Sequence, residues 1–320
     1  MSTVMSFEEF NNAVKEGIKA YLPESFSDAH VQLHMVVKNN NLKLTGLVIS
    51  KIGRNIAPTI YLDSFYEKYR AGEEINMIMR EIAKLRIETE EENDFDLSSI
   101  MIFDRCRDRI MPRLIGTEHN QETLAECPYI SVADLAVTFV IELDNMRVGE
   151  NIHATITVKN DLMELWGMTK EQLYELALDN LNKKTDCYFV KMQDMIYDLM
   201  LPHLLEQSNG DEEEAKKLFE MSNAYLDDLQ MYVLTNADKN CGANMVLSKA
   251  AMKQVIDRVG TEFYILPSSV HEVLIVKGVN YNKDELKSMV MAVNQQEVSV
   301  DEQLSDNVYR YTEETGLVIA

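Results

Sequence analysis

"HVQLHMVVKNNNLKLTGLVISKI", residues 30–52, places two runs of β-branched and aliphatic residues on either side of Asn39, Asn40 and Asn41. Two such runs, parted by residues that tolerate a left-handed backbone, form an antiparallel hairpin. A parallel pair would need a crossover of about a dozen residues or more, and three asparagines are too few. The first sheet is therefore antiparallel, and helices surround it. Upstream, Ser6 with Glu9 makes a capping box ahead of a helix carrying Phe7, Phe10, Val14, Ile18 and Leu22, which Pro23 stops. Downstream, "APTIYL" (57–62) adds a third short strand, followed by helices in "DSFYEKYRAG" (63–72) and "EEINMIMREIAKLRIETEEEN" (73–93). That last helix runs into the acids Glu88, Glu90, Glu91, Glu92, Asp94 and Asp96, which mark a domain boundary.

Beyond it the same alternation continues. "SSIMIFDR" (98–105), "RDRIMPRLI" (107–115), "VADLAVTFVIELD" (132–144) and "NIHATITVK" (151–159) read as strands by their β-branched content. Thr169 and Gln172 cap a helix whose apolar stripe is Leu173, Leu176, Ala177 and Leu181. Two more helices follow, in "KMQDMIYDLMLPHLLEQ" (191–207) and "DEEEAKKLFEMSNAYLDD" (211–228), divided at Ser208-Asn209-Gly210. Then come a strand in "QMYVLTN" (230–236), a loop with Gly242, a helix over 249–259, a hairpin in "EFYILPSSVHEVLIV" (262–276) and a helix capped by Asn282. The class is α+β, with mixed, mainly antiparallel sheets and packed helices. The expected organisation is an N-terminal region over 1–96 and a C-terminal region over 97–320, or one continuous domain.

Composition bounds the function. Hydrophobic residues make up 46% and charged residues 26% of the 320, the balance of an ordinary globular protein. No window approaches the roughly 20 apolar residues that span a bilayer, and the N-terminus lacks a signal-peptide pattern, so a cytoplasmic location is expected and no membrane partner. Cys106, Cys127, Cys187 and Cys241 stand singly, without the close pairs of structural zinc sites or disulfide frameworks. Net charge is −22, from 17 basic against 25 acidic residues in 1–160 and 14 against 28 in 161–320. A field that negative repels nucleic acid, so direct nucleic-acid binding is disfavoured. Residues 31–60 are the exception: Lys38, Lys43, Lys51 and Arg54 with no acid, a candidate anion contact.

Motifs for chemistry are scarce. There is no P-loop, no G-x-G-x-x-G and no G-x-S-x-G, so no cofactor is expected. His30 and His34 have a zinc-like spacing, but on a strand four residues span roughly 13 Å, too far for one ion. Neither the acids at 88–96 nor those at 211–214 follow a calcium-loop order, and no metal site is assigned. Nineteen methionines, among them Met77, Met79, Met192, Met195 and Met200 on helices, fill a core or line an adaptable groove for a partner.

Within the 262–276 hairpin, Ser268, Ser269, His271 and Glu272 bring a hydroxyl, an imidazole and a carboxylate within five positions. As a hydrolase, Ser269 would be the nucleophile and His271 its base. On a strand Glu272 would point away from that pair, so the acid would come from elsewhere, Asp238 or Asp257. As a turn, the serines cap amides and His271 satisfies a backbone carbonyl. The turn is the better reading of these residues.

The stretches "FYILPSSVHEVLIV" (263–276), "ELWGMTKEQLYELALDNL" (164–181), "NVYRYTEETG" (307–316) and "PRLIGTEHNQETLAECPYISVADLAV" (112–137) carry a resemblance. The chain resembles a family of uncharacterised bacterial proteins, a domain of unknown function common in anaerobic gut bacteria. It departs from a shorter, distantly similar family at 182–195, where "NKKTDCYFVKMQDM" stands in place of a proline-rich helix end. The resemblance implies a cytoplasmic bacterial protein, allows for carriage on mobile elements, and brings no activity. The functional expectation is a non-enzymatic interaction or regulatory protein with an unidentified protein partner. The alternatives are a hydrolase using Ser269 and His271, and an acidic nucleic-acid mimic.

Overall fold

The computed structural model describes residues 4–53, 57–88, 97–147, 153–184, 186–223, 230–267, 269–278 and 281–320. The chain forms two compact units, Met1–Cys106 and Arg107–Ala320. Residues 89–96, most of the acidic run, lie outside the described set.

In the first unit, α1 (Phe7–Gly17) starts at the expected capping box: Ser6 Oγ accepts from the Glu9 amide, and the Glu9 carboxylate accepts from the Ser6 amide. Strands β1 (His30–Val37) and β2 (Lys43–Ser50) pair antiparallel over eight residues, and β3 (Thr59–Tyr61) adds to β2. Asn40 and Asn41 take the positive φ that the turn demands. Helices α2 (Asp63–Arg70) and α3 (Ile75–Glu88) complete this unit's core, in which Phe10, Val14, Ile18, Leu47, Ile49, Ile78 and Ile82 are sealed from solvent. The methionine stripe divides here: Met79 is buried and Met77 is exposed.

The strand expected at 98–105 does not form. Residues Leu97–Met101 make a 3-10 turn and Phe103–Cys106 a short helix, α4. A short apolar run has no period by which strand and helix can be told apart. The hydrogen bonds here are local, with the Cys106 thiol against the Ile102 and Phe103 carbonyls, while Met101 and Ile102 face solvent.

The second unit holds two antiparallel sheets. In the first, β4 (Ile110–Gly116) and β5 (Ile130–Val132) flank β6 (Leu135–Arg147), which also pairs β7 (His153–Thr157). Pro112 sits on β4, an outer strand where its missing N–H does least harm. Flanked on both sides, β6 buries Leu135 through Val137 and Phe139 through Ile141. Helix α7 (Lys170–Lys184) packs on this sheet and α5 (Gln121–Glu126) lays Leu124 against Ile115 and Ala136, while α6 (Asn160–Leu165) meets α5 through Asn160 Nδ2, which donates to the Ala125 carbonyl. The α7 residue Asn180 donates to the carbonyls of Arg107 and Ile110 at 2.8 and 2.9 Å. Asn180→Ala strands both carbonyls in a buried site; a loss of about 2 kcal/mol by urea unfolding is expected.

The larger sheet runs in the order β13-β12-β10-β11-β9-β8. Its strands are β8 (Cys187–Lys191), β9 (Met231–Asn236), β10 (Phe263–Leu266), β11 (Val273–Lys277), β12 (Tyr309–Thr312) and β13 (Gly316–Ile319). Helices α8 (Met192–Gln207) and α9 (Glu212–Ser222) pack on each other through Leu204, Ala215 and Phe219. α10 (Lys249–Val259) follows a 3-10 segment over Gly242–Leu247, and α11 (Lys283–Gln296) lays Leu286 and Val290 against Leu266 and Val276. No helix among the described residues is long and apolar enough to cross a membrane.

Candidate functional site

The β10–β11 hairpin forms as expected, with Leu266 opposite Leu274, and its connection carries Ser269, His271 and Glu272. Ser268 lies outside the described residues. The buried Ser269 hydroxyl accepts from the His271 amide at 3.0 Å and donates to Glu272 Oε1 at 3.0 Å. What Ser269 meets of His271 is thus its backbone, and the proton of its hydroxyl goes to Glu272.

The His271 ring differs from the expectation of a backbone carbonyl. Its Nδ1 accepts from the Cys241 amide at 3.1 Å. With Nδ1 an acceptor, the proton of a neutral ring sits on Nε2, which faces Glu302 Oε1 at 3.5 Å. The His271 carbonyl in turn accepts from the side-chain hydroxyl of Thr235, Oγ1, at 2.7 Å. His271 is therefore fixed on both sides of the peptide and at one ring nitrogen, while the ring remains 28% exposed.

The partner loop runs from the end of β9 into the 3-10 segment. Asn236 Nδ2 donates to the Asn240 carbonyl and Asn236 Oδ1 accepts from the Asn240 amide, closing the loop on itself. Lys239 and Cys241 hold positive φ, each costing about 1–2 kcal/mol outside glycine. The Cys241 amide bond to His271 is one of the contacts that hold this conformation. Gly242 follows because nothing larger fits: a Cβ there would lie 2.1 Å from Thr235 Oγ1, 2.5 Å from the Asn236 nitrogen and 2.8 Å from the His271 oxygen.

These pieces surround an open cleft of about 560 Å³. Asp238, Lys239 and Asn240 come from the β9 loop, Ser269, His271 and Glu272 from the hairpin, and Val293, Glu297, Val298 and Glu302 from the end of α11 and the segment after it. That last wall is held in place by side-chain amides. Asn294 donates to the Ser305 carbonyl and to Asp306, and Gln303 donates to the carbonyls of Asn294 and Val298. Four carboxylates, at Asp238, Glu272, Glu297 and Glu302, face one lysine and one histidine over two valines. The cleft suits a cationic guest with an aliphatic stem.

A model for a family of unknown function (DUF5688) matches residues 7–313. The chain belongs to the DUF5688 family. No curated protein and no solved structure matches it. The hairpin and its cleft lie inside the span that defines DUF5688.

Other candidates in this DUF5688 chain are dispersed. Asp238 lines the cleft, whereas Asp257 is an exposed residue of α10 that does not. Lys43 and Lys51 stand at opposite ends of β2, roughly 26 Å apart on an extended strand, and Lys38 and Lys51 lie over the rings of Tyr61 and Phe26. Arg54 lies outside the described residues. Of the described basic residues of 31–60, Lys38 and Lys43 lie together at the turn of the β1–β2 hairpin and Lys51 lies at its other end. Glu297 and Glu302, which give the cleft its charge, carry no sequence signal beyond their acidity; distance along the chain from His271 hides them.

Proposed function

We propose that this chain is a protein-interaction or regulatory protein, in a bacterial cytoplasm, that docks a Lys- or Arg-bearing segment of another protein in the acidic cleft of its second unit. The observation that carries this reading is that four carboxylates line the cleft beside His271 and two valines. A lysine or arginine reaching in would lay its methylenes on Val293 and Val298 and bring its charge to Glu297 and Glu302. The net charge of −22 would draw such a segment from solution before contact. Hydrolysis is supported less well, because the Ser269 hydroxyl turns to Glu272 and one nitrogen of His271 already accepts an amide.

Fluorescence anisotropy with labelled Lys/Arg-containing and Asp/Glu-containing peptides tests this. Basic peptides should bind at low salt and lose at least about tenfold in affinity when salt rises severalfold, since screening weakens exposed charge. Glu297→Lys with Glu302→Lys should abolish binding while circular dichroism stays unchanged. If basic peptides fail to bind at low salt, or bind the doubly reversed variant as well, the reading falls. Hydrolysis of ester or peptide substrates that disappears in Ser269→Ala would overturn it in favour of an enzyme.

A further inference from the structure

A smaller hollow, of about 40 Å³, adjoins the acidic cleft. It lies between the cross-strand pair Leu266 and Leu274 of the β10–β11 hairpin and Met289, Val290, Val293 and Asn294 of α11. Val293 lines the hollow and the cleft alike, so the two meet at that residue. Leu286 and Val290 seal the buried face of α11, whereas Met289 is 43% exposed and Val293 36%. Single exposed apolar side chains are ordinary, but here two of them, one helical turn apart, edge a hollow lined by further apolar residues.

Spacing along α11 fixes how far apart hollow and cleft stand. Met289, Val293 and Glu297 recur every fourth residue along the helix and its C-cap, and so share one face, with a rise of about 6 Å per step. The first two line the hollow and the last two the cleft. An apolar site and an acidic one therefore stand about 6 Å apart. In an extended peptide, residues i and i+2 point to one side about 6.6 Å apart, at roughly 3.3 Å per residue. Neighbouring residues point to opposite sides.

We propose, resting on the docking role given above to the cleft, that the hollow is its second subsite. The partner segment then carries an aliphatic residue two positions from its Lys or Arg, in an extended conformation. The basic side chain brings its charge to Glu297 and Glu302, and the aliphatic one leaves water between Leu274, Met289 and Val293. One water occupies roughly 10–15 Å³ of such space, so the hollow takes about three methyl-sized groups. The end of a Val, Ile or Leu side chain fits and an aromatic ring does not. With no charged group in its lining, the hollow gives an acidic or basic side chain nothing to pair with.

Fluorescence anisotropy of the full chain with labelled, capped hexapeptides tests the subsite, because peptides that short do not hold a helix. In a Gly/Ser background, each carries one Lys, alone or with one Leu placed next to it or two positions away on either side. Leu two positions away, in at least one order, should raise affinity about fivefold or more over Lys alone, and neighbouring Leu should raise it less than about twofold. In Met289→Asn the gain should vanish, so that the two peptides bind alike; Met289 stands exposed, and unchanged circular dichroism would verify the fold. Equal gains from both spacings, no gain from either, or a gain that survives Met289→Asn would overturn the subsite and leave the docking role of the cleft standing. If neither the Lys nor the Lys–Leu peptides bind, the docking role falls and the subsite with it.

Discussion

Gly242→Ala is expected to destabilise the β9–β11 region by about 3 kcal/mol or more, although it adds one methyl group. The new Cβ would come 2.1 Å from Thr235 Oγ1, 2.5 Å from the Asn236 nitrogen and 2.8 Å from the His271 oxygen. Two of those three are backbone atoms of elements already in the sheet or tied to it. The third is a hydroxyl fixed by its 2.7 Å bond to the same His271 carbonyl. Nothing can yield without breaking that bond, so the cost belongs at or above the upper end of the 1–3 kcal/mol typical of overpacking. Gly17→Ala supplies the contrast. Its Cβ would meet only the Met79 side-chain end at 2.9 Å, and a thioether terminus can rotate away. Hydrogen–deuterium exchange of peptides covering 231–247 and 263–277 reads the effect directly. Exchange should rise roughly 100-fold in Gly242→Ala and stay near that of the unaltered chain in Gly17→Ala. Equal protection in both variants would mean that the approach of the two loops is not as close as described.

The same loop shows where sequence reading stops. The β1–β2 hairpin, the Ser6 and Thr169 caps and the Asn282 cap were legible because each is a local rule: a turn residue between two β-rich runs, or a hydroxyl or amide two or three residues before its partner. The short strand β8 is not legible in "CYFVK", because five residues show no period and the strand is defined by its pairing with β9, over forty residues away. The 98–105 run fails for the opposite reason: its apolar content suggests a strand, but among the described residues no strand pairs with it and local hydrogen bonds form instead. In the site, the Ser269–His271–Glu272 proximity is a true sequence signal of a turn, since Ser269 bonds both neighbours. Its chemistry is set by Cys241 and Glu302, each about thirty residues from His271. No periodicity marks either of them. The Asn244 bond to the Pro112 carbonyl is farther still from what a sequence can show, since the two lie 132 residues apart.

Asp134→Ala should cost about 4 kcal/mol, because one carboxylate organises the entry to β12. Asp134 Oδ1 accepts from the Tyr309 hydroxyl at 2.6 Å, and Oδ2 accepts from Ser305 Oγ and Asn307 Nδ2, both at 2.9 Å. Hydrogen bonds to a charged group are worth about 1.5–3 kcal/mol each, and loss of the acceptor strands the hydroxyl of Tyr309, a residue 1% exposed. Asp134→Asn keeps the shape but offers a single acceptor oxygen, so it should fall about midway. Tyr309→Phe removes one bond and should cost less than either. Alkaline pH separates the phenol from the rest. Burial first, and then the bond to Asp134, push the Tyr309 phenol well above its ordinary value. An unfolded tyrosine ionises near pH ~10, so above that pH the unfolded chain gives up a proton that the folded chain keeps. The stabilisation is complete below pH ~10 and declines as pH rises further towards the folded value. In urea unfolding between pH ~10 and ~11.5, the unaltered chain should lose about 1 kcal/mol per pH unit more than Tyr309→Phe. Parallel pH profiles for the two would mean that Tyr309 ionises as freely in the folded protein as in the unfolded one, and the Asp134–Tyr309 bond would lose its place as the anchor of β12.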